Sequence, residues 1–161
     1  QGLKKSIEEG ILVEKEATEK QRKRSETLER ISKETSFEIP ETMIEHEKTR
    51  LFEAFKDQVS QNAKIDFDSY LASIKKNEDE IKRSFAEDAK KRIKNFLVLQ
   101  QIGKKENIQV SNQEIEENIN QIVKNRSKDE TEKIDIQKLK EYTNGTIMNE
   151  KIFQLLESLS K

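Results

Sequence analysis

Ile108-Gln109-Val110-Ser111-Asn112-Gln113-Glu114-Ile115-Glu116-Glu117-Asn118-Ile119-Asn120-Gln121-Ile122-Val123 is the stretch that decides the fold class. Ile108-Gln109-Val110 reads as an extended step. Ser111-x-x-Glu114 is a complete capping box, in which the Ser hydroxyl accepts an orphan helix N–H and the Glu carboxylate reaches back to the cap N–H. The box predicts a helix that begins at Asn112. Ile115, Ile119, Ile122 and Val123 then fall on one face at helical spacing, with polar residues between them. A strand would need alternation, and a sheet would need turns. With one Pro and four Gly in 161 residues, this chain has few places to turn. We therefore expect an all-α fold.

The same grammar extends toward the N-terminus. Asn77-Glu78-Asp79-Glu80 is a second start signal, and the helix it opens is expected to continue to about Lys105, with Ile81, Phe85, Ala89, Ile93, Phe96 and Leu97 on one side. Ser36-Phe37-Glu38-Ile39-Pro40 interrupts the helical period, and Pro40 suits the first turn of a helix running to about Gln61. That helix carries Ile44, Leu51, Phe55 and Val59, widened by Met43 and Phe52. Ile65-Asp66-Phe67-Asp68 connects it to a brief helix with Tyr70, Leu71 and Ile74, for which Asp68 is the expected cap. Residues 3–34 form the first helix. Between Val13 and Arg30 it holds 11 charged residues in 18, too polar to bury much, so it reads as a solvated helix laced by pairs such as Glu16–Lys20 and Glu26–Arg30.

Toward the C-terminus, residues 124–132 read as a polar loop. Two helices follow, at about 132–143 and 146–159, the second with Met148, Ile152, Leu155, Leu156 and Leu159 on its stripe. No heptad is sustained for three or four turns, which disfavours a simple coiled-coil rod.

Composition agrees with an elongated helical protein. The chain is 32% hydrophobic and 39% charged, against about 25% charged in an ordinary domain. Leu, Ile, Val and Phe still fill 41 of the 161 positions, enough to fold. The 31 basic and 32 acidic residues are interleaved and leave a net charge of −1, so the basic face a nucleic-acid binder needs is missing. There is no Cys for a disulfide framework or a thiolate zinc site. The longest apolar run, Phe96-Leu97-Val98-Leu99, is far short of the roughly 20 residues of a membrane helix, so no membrane partner is expected. No signal-peptide pattern opens the sequence, and Gln at residue 1 leads us to expect a processed or excised chain.

Catalytic chemistry finds little material. His46, the one histidine, lies opposite the apolar stripe of its helix and reads as a solvated side chain. Asp66-x-Asp68 matches the start of a calcium loop, but Leu71 stands where that loop needs Gly and Asn77 where it needs Glu. Gly103-Lys104-Lys105 lacks the rest of a phosphate cradle, and the N-x-S/T triplets at Asn125 and Asn144 carry no weight without secretion. We expect no catalytic residue, no metal and no cofactor. The informative residues are apolar ones off the helical stripes. Counted at 100° per residue, Val98 and Ile102 leave the Ile81–Phe85–Ile93 face, and Ile147 and Phe153 flank the stripe of the last helix. Each can pack against a second helix. Together, amid mixed charge, they describe a surface able to hold an unfolded chain weakly and stay soluble.

Four stretches, taken in order, resemble a known family. Phe37-Glu38-Ile39-Pro40-Glu41-Thr42-Met43-Ile44-Glu45-His46-Glu47 is similar to the entry into the C-terminal domain of bacterial trigger factor, a ribosome-associated chaperone. Phe67-x-x-Tyr70-Leu71 with Glu80-Ile81, then Ala89-x-x-Arg92-x-Lys94-x-x-Leu97-x-Leu99-x-x-Ile102, then Glu106-x-Ile108-x-Val110-Ser111-x-x-Glu114-Ile115, continue the likeness over about 80 residues. No G-F-R-x-G-x-x-P ribosome-docking loop and no prolyl isomerase domain is present. The resemblance implies a linker helix over 1–36, a first arm or body over 37–106, and a second arm with the C-terminal helix over 107–161. It also implies a crevice between the arms that shelters unfolded or nascent polypeptide without ATP, in the cytoplasm, with ribosome contact only through domains outside this chain. On that reading the client-binding candidates are Met43, Val98, Ile102, Ile147 and Phe153.

Two other readings stay open at the level of sequence. SurA-type periplasmic chaperones share the L-x-L-x-x-I…I-x-V-S-x-x-E stretch, although parvulin sequence and a signal peptide are missing. A helical adaptor acting through its long first helix would show the same composition.

Overall fold

The computed structural model describes residues 2–63, 65–124 and 135–159. Among them are seven helices and no strand, as the capping boxes and helical periods predict: α1 (Gly2–Glu34), α2 (Glu41–Ala63), α3 (Phe67–Ile74), α4 (Glu78–Ser84), α5 (Ala86–Lys105), α6 (Asn112–Lys124) and α7 (Ile136–Leu159). The expected loop over 124–132 lies, beyond Lys124, outside the described residues, as does the start of the expected helix over 132–143. The packing divides the chain into two units, one of residues 1–30 with 99–161 and one of residues 31–98.

In the unit of residues 31–98, Pro40 stands directly before α2, and its carbonyl accepts the N–H of Met43 at 3.0 Å. α3 is capped by Asp66, two residues earlier than Asp68. Its carboxylate accepts the Ser69 N–H at 2.9 Å and the Ser69 hydroxyl at 2.7 Å, whereas Asp68 sits in the first turn beside the positive helix end. Asn77 and Glu80 form the expected capping box of α4, each bond 2.9 Å long. α2 packs on α3 and α4. The interface is aromatic: Phe67 meets Phe52 edge-on at 5.6 Å and Phe55 at 6.1 Å, and Phe55 also meets Tyr70 and Phe85. Val59, Leu71 and Ile81 complete the buried cluster, each such side chain contributing about 1.5–3 kcal/mol of apolar burial.

The single helix expected over 77–105 is two. Phe85 ends α4 with ψ near 0°, and α5 restarts at Ala86. Within α5, Ala89 and Phe96 share a face and Val98 lies opposite, yet the covered side changes along the helix, which passes from one unit to the other after Val98. Ala89 is buried as predicted, but Phe96 is 48% exposed and Val98 only 4%. Conversely, the two helices expected over 132–143 and 146–159 are one: α7 runs unbroken through Asn144 and Gly145, because helical hydrogen bonding and packing override their weak propensity.

In the unit of residues 1–30 and 99–161, α5 ends in a left-handed cap at Asn107 (φ 51°), where the Ile108 N–H bonds the Gly103 carbonyl at 2.9 Å. The Ser111–Glu114 box then starts α6 at Asn112, as its spacing predicts. α6 packs on α7 through Ile115, Ile119, Ile122 and Val123, all half-buried. Gly103 is a packing glycine: a Cβ there would stand 3.3 Å from Ile152 Cδ1 and 3.5 Å from Met148 Sδ. Its role is close helix approach rather than phosphate binding.

Candidate functional site

The five candidates taken from the sequence are spread over three helices. Met43 lies on α2 and Val98 on α5, in the unit of residues 31–98, while Ile102, Ile147 and Phe153 lie on α5 and α7 in the other unit. Met43, Ile102, Ile147 and Phe153 are half-buried, with part of each side chain at the surface. Val98 is not at the surface at all. Its 4% exposure makes it a core residue, the outcome left open by its place off the helical stripe.

Phe153 has the most developed surroundings. Arg24 on α1 stacks its guanidinium 5.1 Å from the centre of the Phe153 ring. The same guanidinium donates from Nε to Glu157 at 2.5 Å, and from Nη1 and Nη2 to the two oxygens of Glu150 at 2.5 and 2.8 Å. Glu150, Phe153 and Glu157 are three and four residues apart, so they share one face of α7. Lys20, one turn earlier on α1, adds a cation 3.6 Å from Glu150. The Arg24 hydrogen bonds hold the Glu150 carboxyl at about 2 and also lower Glu157, while the two carboxylates raise Arg24. Beside this node runs an open groove of about 350 Å³, with Thr27, Phe153 and Leu156 among its lining and Lys23, Arg30 and Glu26 on its charged borders.

This node was legible only in part. Glu-x-x-Phe-x-x-x-Glu over 150–157 places two carboxylates around an aromatic ring on one helix face, a signal that a stripe-only reading passes over. The charges of α1 are used differently from the pairs expected within the helix. Lys20 reaches Glu150, and Glu26 pairs with Arg22, which also bonds Glu19 at 2.7 Å. Further apolar side chains stand exposed: Ile7, Ile11, Leu12 and Val13 on α1 at 47–65%, and Tyr142 on α7 at 71%. Mixed charge surrounds them.

His46 is exposed on α2, and Asp66 is occupied in capping. Among the described residues no group of three or more His, Cys, Asp or Glu is placed to hold a metal, and no helix is long and apolar enough to cross a membrane.

A family model described as bacterial trigger factor protein C-terminus matches residues 1–157. The chain belongs to this family. A trigger factor of Caldicellulosiruptor saccharolyticus is 30% identical over 165 residues, covering 97% of this chain and 36% of that protein. A trigger factor of Caldicellulosiruptor bescii is 31% identical over 140 residues, and one of Halothermothrix orenii 30% identical over 122, covering 81% and 76% of this chain and 30% and 28% of those proteins. The chain thus spans about a third of the length of the curated relatives it matches. No solved structure matches it significantly. The trigger factor C-terminal assignment agrees with the all-helical architecture and with the order of motifs from Phe37 to Ile115.

Proposed function

We propose that this chain is an ATP-independent chaperone domain that holds unfolded or nascent polypeptide through scattered apolar side chains. The observation that carries the reading is a scatter of apolar side chains that reach the surface of charged helices, Met43, Ile102, Ile147 and Phe153 in part and Phe96 and Tyr142 more fully. Such patches bury little area each, so capture is multivalent and loose, micromolar or weaker. Mixed charge keeps the complex soluble. Met43, Ile102, Ile147 and Phe153 are the contact residues we propose, and Val98 acts through the core.

The chain works by binding and not by catalysis on this reading, in the cytoplasm, and any ribosome contact runs through other domains of a parent protein. We assign residues 1–36 to a linker helix and residues 37–106 and 107–161 to two arms. The exposed Ile7, Ile11, Leu12 and Val13 favour one second reading, a helical adaptor that docks through α1. Light scattering of several chemically denatured clients separates the two. The chaperone reading expects aggregation to be suppressed at stoichiometric amounts of the chain. No suppression for any client would overturn it and promote the adaptor.

A further inference from the structure

From Ser6 to Lys23 every residue of α1 is exposed, its large apolar side chains included; Arg24 is the first that is covered. Over this length α1 has no buried apolar side chain to hold it, and Leu28 is the first core residue along it. What fastens the middle of the helix is charge: Arg24 on Glu150 and Glu157, and Lys20 on Glu150. The Arg24 side chain is 10% exposed, yet both carboxylates are 42% exposed, so water and salt reach the pair from the α7 side. The guanidinium also lies over the Phe153 ring, covering one of its faces.

We propose that Arg24, Glu150 and Glu157 form an ionic latch that seats α1 on α7, and that opening it uncovers for polypeptide the Phe153 face that the guanidinium covers. The second half rests on the proposed chaperone function, whereas the latch itself does not. An ionic fastening suits such a device. It opens without exposing a core, and its strength falls as ionic strength shortens the reach of the charges. A latch made of packed Leu and Ile would respond to neither.

Hydrogen exchange read by mass spectrometry on the full chain tests the latch. Raising salt from 0.05 to 0.5 M in the wild type is expected to speed exchange of α1 amides before residue 27 several-fold, with α2–α4 unchanged. Glu150→Gln/Glu157→Gln is expected to start fast, by about tenfold, and to lose the salt response. If α1 exchange is indifferent to salt in the wild type, the latch is wrong, and that arm needs no variant to fold. The gating half is read with a fluorescently labelled, reduced and carboxymethylated protein as the unfolded probe. Tighter binding by the double variant is expected. Equal binding by both chains would overturn the gating while leaving the latch. Binding by neither chain would count against the chaperone reading, with exchange still deciding the latch.

Discussion

Lys151 of α7 donates to Glu114 at 2.7 Å and to the Gln109 carbonyl at 2.8 Å, so one ammonium group ties α7 to the capping carboxylate of α6 and to the extended step before it. Glu114 is held down from its ordinary 4.5 to about 2, first by Lys151 and then by the Ser111 N–H and hydroxyl. A carboxyl whose pKa is depressed on folding stabilises the fold fully above its unfolded value and loses that contribution as pH falls through the folded one. The α6–α7 pairing is therefore expected to weaken from about pH 5 down to about pH 2. Glu114→Gln should flatten part of the acid limb in thermal melts over that range, leaving the share that belongs to Glu150. An unchanged acid limb would refute the link.

Glycines at two places in the helices predict opposite responses. A Cβ at Gly145 meets nothing within 4 Å, so Gly145→Ala should raise stability by about 0.5–1 kcal/mol through helix propensity alone. Gly103 faces Ile152 and Met148, and Gly103→Leu should lower stability by about 1–3 kcal/mol through overpacking. Urea unfolding of the two variants checks both signs.

Thr143 on α7 is 1% exposed, and its hydroxyl has no hydrogen-bond partner. Thr143→Val keeps the shape and removes the desolvated hydroxyl, so a gain of about 1 kcal/mol is expected in chemical denaturation. A loss would mean that the hydroxyl bonds an interior water.

Phe52 is buried in the aromatic cluster against Phe67, and Phe96 stands half in solvent. Phe52→Ala should cost about 3–5 kcal/mol. Phe96→Ser should stay within about 0.5 kcal/mol of the wild type, as surface changes do. Equal losses would contradict the exposure of Phe96.

Local signals were read well from the sequence because their physics is local. The Ser111–Glu114 and Asn77–Glu80 boxes and the Pro40 break each satisfy backbone groups within four residues, and all three mark helix starts in the structure. The covered side of α5 beyond Ile93 was not legible. Phe96 shares the face of Ala89 and is exposed, whereas Val98 on the opposite face is buried, because the covered side changes along α5 and no period within one helix encodes that. The reach of Arg24 to Glu150 spans 126 positions, which no periodicity within one helix encodes. For the same reason the charges of α1 looked like intrahelical pairs, although Lys20 and Arg24 serve α7.

Equilibrium binding of a labelled, permanently unfolded client measures whether apolar side chains at the surface hold unfolded polypeptide. Fluorescence anisotropy should give a micromolar dissociation constant for the wild type, weakened at least fivefold in Ile102→Ser/Ile147→Ser/Phe153→Ser at unchanged helicity. Binding by this variant as tight as that of the wild type, or no binding by the wild type at hundreds of micromolar, would contradict the account.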